Sequence, residues 1–181
     1  MNPIRKTYGT TEVQITSFQS SKGITEYHIF FQQTDSMEDF RTQLQHIQDV
    51  YARSVEELPG NPVAIFRRYF LSDVTNQTDE LMERERLSPY CALSIVQQAP
   101  MNGTKIALWA WLQTGVQTQV LPSGLFEARH GAYGQLLGAN LCNRAANSEY
   151  QTRLIFRDYI LQLTEANCTL ADNCLRTWIF V

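Results

Sequence analysis

The run Val63-Ala64-Ile65-Phe66-Arg67-Arg68-Tyr69-Phe70-Leu71 constrains the fold more than any other stretch of the chain. Successive strand residues point to opposite faces, and here both faces are apolar except for two adjacent arginines. Such a run fits a central strand, covered by helices on one side and engaged with a partner on the other. Arg67 and Arg68 therefore point to opposite faces, and only one of them can line a given cleft. A buried guanidinium needs an anion. A structural ion pair with Asp or Glu is the first expectation, and a small carboxylate held at an interface between modules is the second.

The elements around this strand follow from periodicity. Glu12–Phe18 and Glu26–Phe31 alternate as strands, and Ser20-Ser21-Lys22-Gly23 between them is turn chemistry, so the two form a hairpin. His28 falls inside the second strand and is read as a packed or edge histidine. A helix follows, with Ser36 as its cap. Met37, Phe40, Leu44, Ile47, Val50 and Tyr51 form its apolar stripe, and His46 lies off it, in solvent. Leu58-Pro59-Gly60-Asn61-Pro62 is a loop. Beyond the arginine strand, Ser72 and Asp73 end the run, and a short helix is expected from Asn76 to Arg86. Leu81, Met82 and Leu87 would pack, and Glu83 to Arg86 would face water. Tyr90–Gln97 and Thr104–Leu112 are strands, and Asn102-Gly103 between them predicts a hairpin. Trp109 and Trp111 share one face of the second, where burial in a core or interface is expected. The resulting α+β module, β-β-α-β-α-β-β over residues 1–115, places both helices on one face of a mainly antiparallel sheet.

The pattern then restarts over residues 116–181. Ser123-Gly124 opens a turn, Gly131–Gly138 reads as loop plus strand, and Ser148 with Gln151 caps a helix running to Leu163. Arg176–Val181 reads as a strand. Leu175-Arg176-Thr177-Trp178-Ile179-Phe180 matches Phe66–Leu71 position by position, and the preceding helices lie at nearly the same offset. This suggests duplication, with a partial β-β-α-β second copy. Because the chain ends on an apolar strand, a longer natural protein is expected.

Composition narrows the partners. Hydrophobic residues make up 44% and charged residues 18%, ordinary for a folded domain. The net charge is -3, with only three lysines and no basic run, which weighs against nucleic acid. The polar start, Met1–Thr11, is not a signal peptide, and no stretch reaches the length of a membrane span. Cys91, Cys142, Cys168 and Cys174 form no Cys-x-x-Cys pair and share no ligand spacing with His28, His46 or His130. They are read as thiols of a reducing, cytoplasmic environment, with no metal and no cofactor. The Asn-x-Thr sequons at Asn76, Asn102 and Asn167 are read as chance matches.

Asn173-Cys174-Leu175-Arg176-Thr177-Trp178-Ile179-Phe180-Val181 resembles the mid-domain strand of the RidA/YjgF family, also described as endoribonuclease L-PSP or translation initiation inhibitor. Arg68–Asp73 resembles the same strand in the first module, and Tyr90–Pro100 with Lys105–Trp111 resembles the family's closing hairpin. The tandem layout is similar to chorismatase-like members. The resemblance implies a chorismate-mutase-like fold, trimer-like packing of modules and small-molecule clefts between them. It also implies an arginine at the start of the penultimate strand to hold a substrate carboxylate, and a glutamate on the last strand to work on water. Here those places hold Cys91 and the acid-free stretch Ile106–Ala110. No catalytic residue is therefore expected in the first module. Arg67, Arg68, Arg176 and Cys91 remain as ligand-binding candidates. Cys91 as a nucleophile would need a base that no sequence neighbour supplies. The resulting expectation is a non-catalytic scaffold portion that binds, at most, a small carboxylate and self-associates. An alternative is an imine deaminase or chorismatase-like hydrolase whose active site lies in a missing C-terminal half. The family's ribonuclease label comes third.

Overall fold

The computed structural model describes all residues except 1, 2, 22, 89, 132, 146 and 181. Met1 of the polar start, Lys22 of the expected turn, Ala132 of the expected loop and Val181 of the expected last strand thus lie outside the described residues. The chain forms two compact units, Met1–Val116 and Gln117–Val181. In the first, β1 (Ile4–Tyr8), β2 (Thr11–Gln19) and β3 (Thr25–Gln33) precede α1 (Phe40–Glu56). Then come β4 (Val63–Leu71), α2 (Val74–Glu85), β5 (Ala92–Gln97) and β6 (Ile106–Gln113). The second holds β7 (Gln117–Val120), β8 (Phe126–His130), β9 (Tyr133–Leu137), α3 (Ser148–Glu165) and α4 (Leu170–Asn173). The class is α+β with a mostly antiparallel sheet. No helix among the described residues is long and apolar enough to cross a membrane.

The six strands of the first unit lie in the order β1-β2-β3-β6-β4-β5. β2 and β3 form the expected hairpin, with Ile15 opposite Ile29. The hairpin expected at Asn102-Gly103 does not form. β6 enters antiparallel between β3 and β4, and β5 lies parallel to β4 at the far edge. A tight turn is present, with Gly103 at φ 81°, but it joins strands that are not neighbours. Asn102 instead donates from Nδ2 to the Gln33 carbonyl at 2.7 Å, tying the turn to the end of β3. The controlling property is burial. β6 is apolar on both faces and takes a central place, whereas β5 carries Ser94 and takes an edge. The parallel β4–β5 pair requires a crossover, and α2 supplies it.

One face of the sheet carries the core. Ile29, Phe31, Leu44, Ile47, Leu81 and Leu108 are fully buried there, drawn from β3, α1, α2 and β6. Both helices thus cover the same face. The cap of α1 is Asp39, not Ser36; its carboxylate accepts the Thr42 amide at 2.8 Å. Met37 consequently falls outside the helix and is exposed, while His46 is half-exposed beside Glu38 and Thr10. α2 likewise starts earlier than expected, capped by Asp73, and Leu87 beyond its end is exposed rather than packed.

β1 was not visible as a strand because its Ile-Arg-Lys-Thr-Tyr sequence is mostly polar, as suits a sheet edge. It is fastened to the end of α1. Lys6 Nζ donates to Glu57 at 2.7 Å, Tyr8 donates at 2.8 Å, and Arg53 donates to the other oxygen at 3.0 Å. These donors, Lys6 first, hold the Glu57 carboxyl down from its ordinary 4.5 to about 2. A carboxyl lowered in the folded state stabilises the fold fully above its ordinary value and loses that contribution as the pH falls through about 2. Acid titrations of stability for wild type and Glu57→Gln should therefore differ at neutral pH and converge as the pH falls from 4.5 to about 2. Parallel curves over that window would show that the clasp contributes nothing.

In the second unit β7, β8 and β9 form an antiparallel meander. Gly124, at φ 87°, lies in the first turn, and Gly131, at φ 49°, in the second. α3 is capped by Asn147, one residue before the expected Ser148, through the Tyr150 amide at 2.9 Å. The strand expected at Arg176–Val181 is absent among the described residues, where 174–180 carry no ladder. A strand needs a ladder of backbone hydrogen bonds with a neighbouring strand, and none is assigned to this segment among the described residues. Among the described residues the second unit reads β-β-β-α-α, where β-β-α-β was expected.

Candidate functional site

The arginine strand organises two sites, one on each face of the sheet. On the helix-covered face Arg67 is 2% exposed. Its Nη2 lies 3.0 Å from Glu85 Oε2, and its Nε donates to Cys91 Sγ at 3.1 Å. Tyr69, two residues on and on the same face, donates its hydroxyl to Glu85 Oε1 at 2.6 Å. The Tyr51 ring of α1 lies against the guanidinium, 5.6 Å from centroid to Cζ. Both carboxylate oxygens of Glu85 are thus engaged inside the protein.

The structural ion pair expected for Arg67 therefore exists, with Glu85 as the partner. Reading Glu85 as part of a solvated face was wrong: it is 7% exposed. A signal was available. Gln77, Leu81 and Glu85 recur every four residues and form the buried stripe of α2. An acid on such a stripe needs a buried cation, and Arg67 is the apolar-run arginine that faces the helices.

Charge follows geometry here. Burial opposes the Arg67 charge, but the Glu85 carboxylate against it more than offsets that and holds it protonated. Burial raises the Cys91 thiol above its ordinary value, with Arg67 only partly countering it. It likewise raises the Tyr51 phenol to about 12 and Tyr69 well above its usual range. At neutral pH Cys91 is thus a buried thiol accepting a hydrogen bond, not a thiolate nucleophile.

Among the described residues, the opposite face carries no helix of the first unit. Strand register places Arg5, Gln14, Phe30, Trp109, Arg68 and Ser94 in one transverse row across all six strands. A second row runs through Thr16, His28, Trp111 and Phe66. His28 stacks between the two tryptophans, with centroids 5.8 Å from Trp109 and 5.3 Å from Trp111. Burial lowers its pKa, which favours the neutral ring. Phe66 tilts against Trp109 at 5.4 Å, and Phe30 against Phe70 at 6.2 Å. Arg68 lies over Phe66 at 5.0 Å and over Trp109 at 5.6 Å, and its Nε donates to Ser94 at 3.2 Å. His28 is thus packed, and the two tryptophans are half-buried.

The remaining candidate, Arg176, is exposed and lies over the Trp178 ring at 5.1 Å. It belongs to the second unit, although it aligns in sequence with Arg67 of the first. Among the described residues no cluster of three or more His, Cys, Asp or Glu side chains could hold a metal. A scan against family models, a search of curated proteins and a search of solved structures each found no match for this chain.

Proposed function

We propose that the first unit is a non-catalytic, RidA/YjgF-like module that works by packing against further modules through the helix-free face of its sheet. The observation that carries this reading is the aromatic array of His28, Trp109, Trp111, Phe66, Phe30 and Phe70 on a face that no helix of the unit covers. Aromatic residues with an arginine among them are typical of the energetic centre of protein interfaces. A mostly antiparallel sheet with both helices on one face supports this reading, and a trimer-like arrangement is what the family resemblance implies.

Three features support the absence of chemistry. The Arg67 fork is occupied by Glu85 and Cys91, the Cys91 thiol is protonated, and β6 carries no carboxylate. A small carboxylate at a module interface belongs to the same reading, with Arg68 as the guanidinium on the packing face.

Sedimentation velocity tests the proposal. Wild type is expected to form a species of several chains whose population grows with concentration. Trp111→Glu should weaken association by a factor on the order of 100 or more, because an unpaired charge in a packed interface costs several kcal/mol. Arg41→Glu, on the solvent side of α1, should leave it unchanged. A wild-type chain that stays monomeric at every concentration contradicts the reading.

A further inference from the structure

At the β1 edge of the helix-free face lies a groove of about 340 Å³, beside the tryptophan patch. That volume is at the lower end of the range for small-molecule sites. Its side chains form a two-by-three grid fixed by strand register. Arg5 faces Gln14, which faces Phe30; Thr7 faces Glu12, which faces Gln32. All six project to the same side, because their neighbours Lys6, Tyr8, Val13 and Ile29 serve the helix-covered side.

The polar groups of this grid are unengaged. Some polar side chains elsewhere in the unit are tied into networks, such as Glu57 with three donors or Gln43 with two carbonyls. Among the described residues, Arg5, Thr7, Glu12, Gln14 and Gln32 make no side-chain hydrogen bond or ion pair. Arg5 and Glu12 are diagonal neighbours on paired strands, a spacing at which long side chains of opposite charge can meet, yet they form no ion pair. A guanidinium and a carboxylate therefore stand apart across a groove lined by carboxamides. An aromatic ring, Phe30, 36% exposed, borders it.

We propose that this groove binds a free α-amino acid with an apolar side chain. Arg5 would take the α-carboxylate through its planar fork, and Glu12 would take the α-ammonium. Gln14, Gln32 and Thr7 would complete the hydrogen bonds, and the apolar side chain would rest on Phe30. Only a ligand with both charges close together satisfies both groups at once. The groove shares Phe30 with the proposed packing face, but the two readings fail separately, since this one is read out by ligand affinity and the other by mass.

Titration calorimetry of the whole chain with L-leucine, L-leucinamide and isocaproate tests it. L-Leucine should bind at a single saturable site, and either analogue, lacking one charge, should bind at least roughly tenfold more weakly, as expected for loss of a charge-assisted hydrogen bond. Arg5→Gln and Glu12→Gln should each weaken leucine by a similar factor. The residual binding of leucinamide should respond to Glu12→Gln alone, and that of isocaproate to Arg5→Gln alone. Because neither side chain makes a hydrogen bond or ion pair among the described residues, melting curves should be unchanged, as is usual for surface substitutions. Absence of saturable leucine binding overturns the proposal. So does leucine binding that survives both substitutions, or analogues that bind as tightly as leucine.

Discussion

Glu85→Ala is expected to lower the unfolding free energy by about 3–5 kcal/mol, a large part of what a domain of this size possesses. The substitution leaves the Arg67 guanidinium buried beside a thiol and two phenols, with no carboxylate, and it strips the Tyr69 hydroxyl of its acceptor. The loss comes from an uncompensated charge rather than from the value of the ion pair itself. Removing both charges should therefore cost far less, and the double variant Arg67→Met/Glu85→Leu is expected to be much closer to wild type than Glu85→Ala. Urea unfolding followed by tryptophan emission measures all three. If Glu85→Ala and the double variant were equally destabilised, packing rather than charge would govern the site.

Leu108→Ala should cost about 2–5 kcal/mol, as expected for a leucine deleted from a closed core. Leu108 is fully buried, opposite Phe31 of β3 on one side and Tyr69 of β4 on the other. Val96→Ala, on edge strand β5, should cost less than half as much, since Val96 keeps 8% exposure and has a strand on one side only. The comparison tests strand order directly. An arrangement in which β5 and β6 were hairpin partners at the edge would bring the two costs together.

Strand order is not a local property of a sequence. The β2–β3 hairpin, the stripe of α1 and the arginine strand were legible because each rests on a local period. Asn102-Gly103 also gave a true local signal, a tight turn, but turn chemistry does not name the strand that will lie alongside. The two runs that are apolar on both faces, β4 and β6, lie side by side as interior strands, and burial on both faces was the better guide. At the site, the opposite faces of Arg67 and Arg68 followed from alternation alone. Glu85 was missed because its charged neighbours suggested a solvated face, although its spacing from Leu81 placed it on the buried one. The terminal run Leu175–Phe180 copies the composition of Phe66–Leu71 yet forms no strand, since composition cannot supply a pairing partner.

The central claim is that the helix-free face meets another module. Acrylamide quenching of tryptophan emission across a dilution series tests it most directly, in a Trp178→Phe background that leaves Trp109 and Trp111 as the reporters. Quenching is expected to weaken as concentration rises, in step with the growth in mass, because association covers both indoles. Quenching that stays constant while the mass grows would place the contact elsewhere and contradict it.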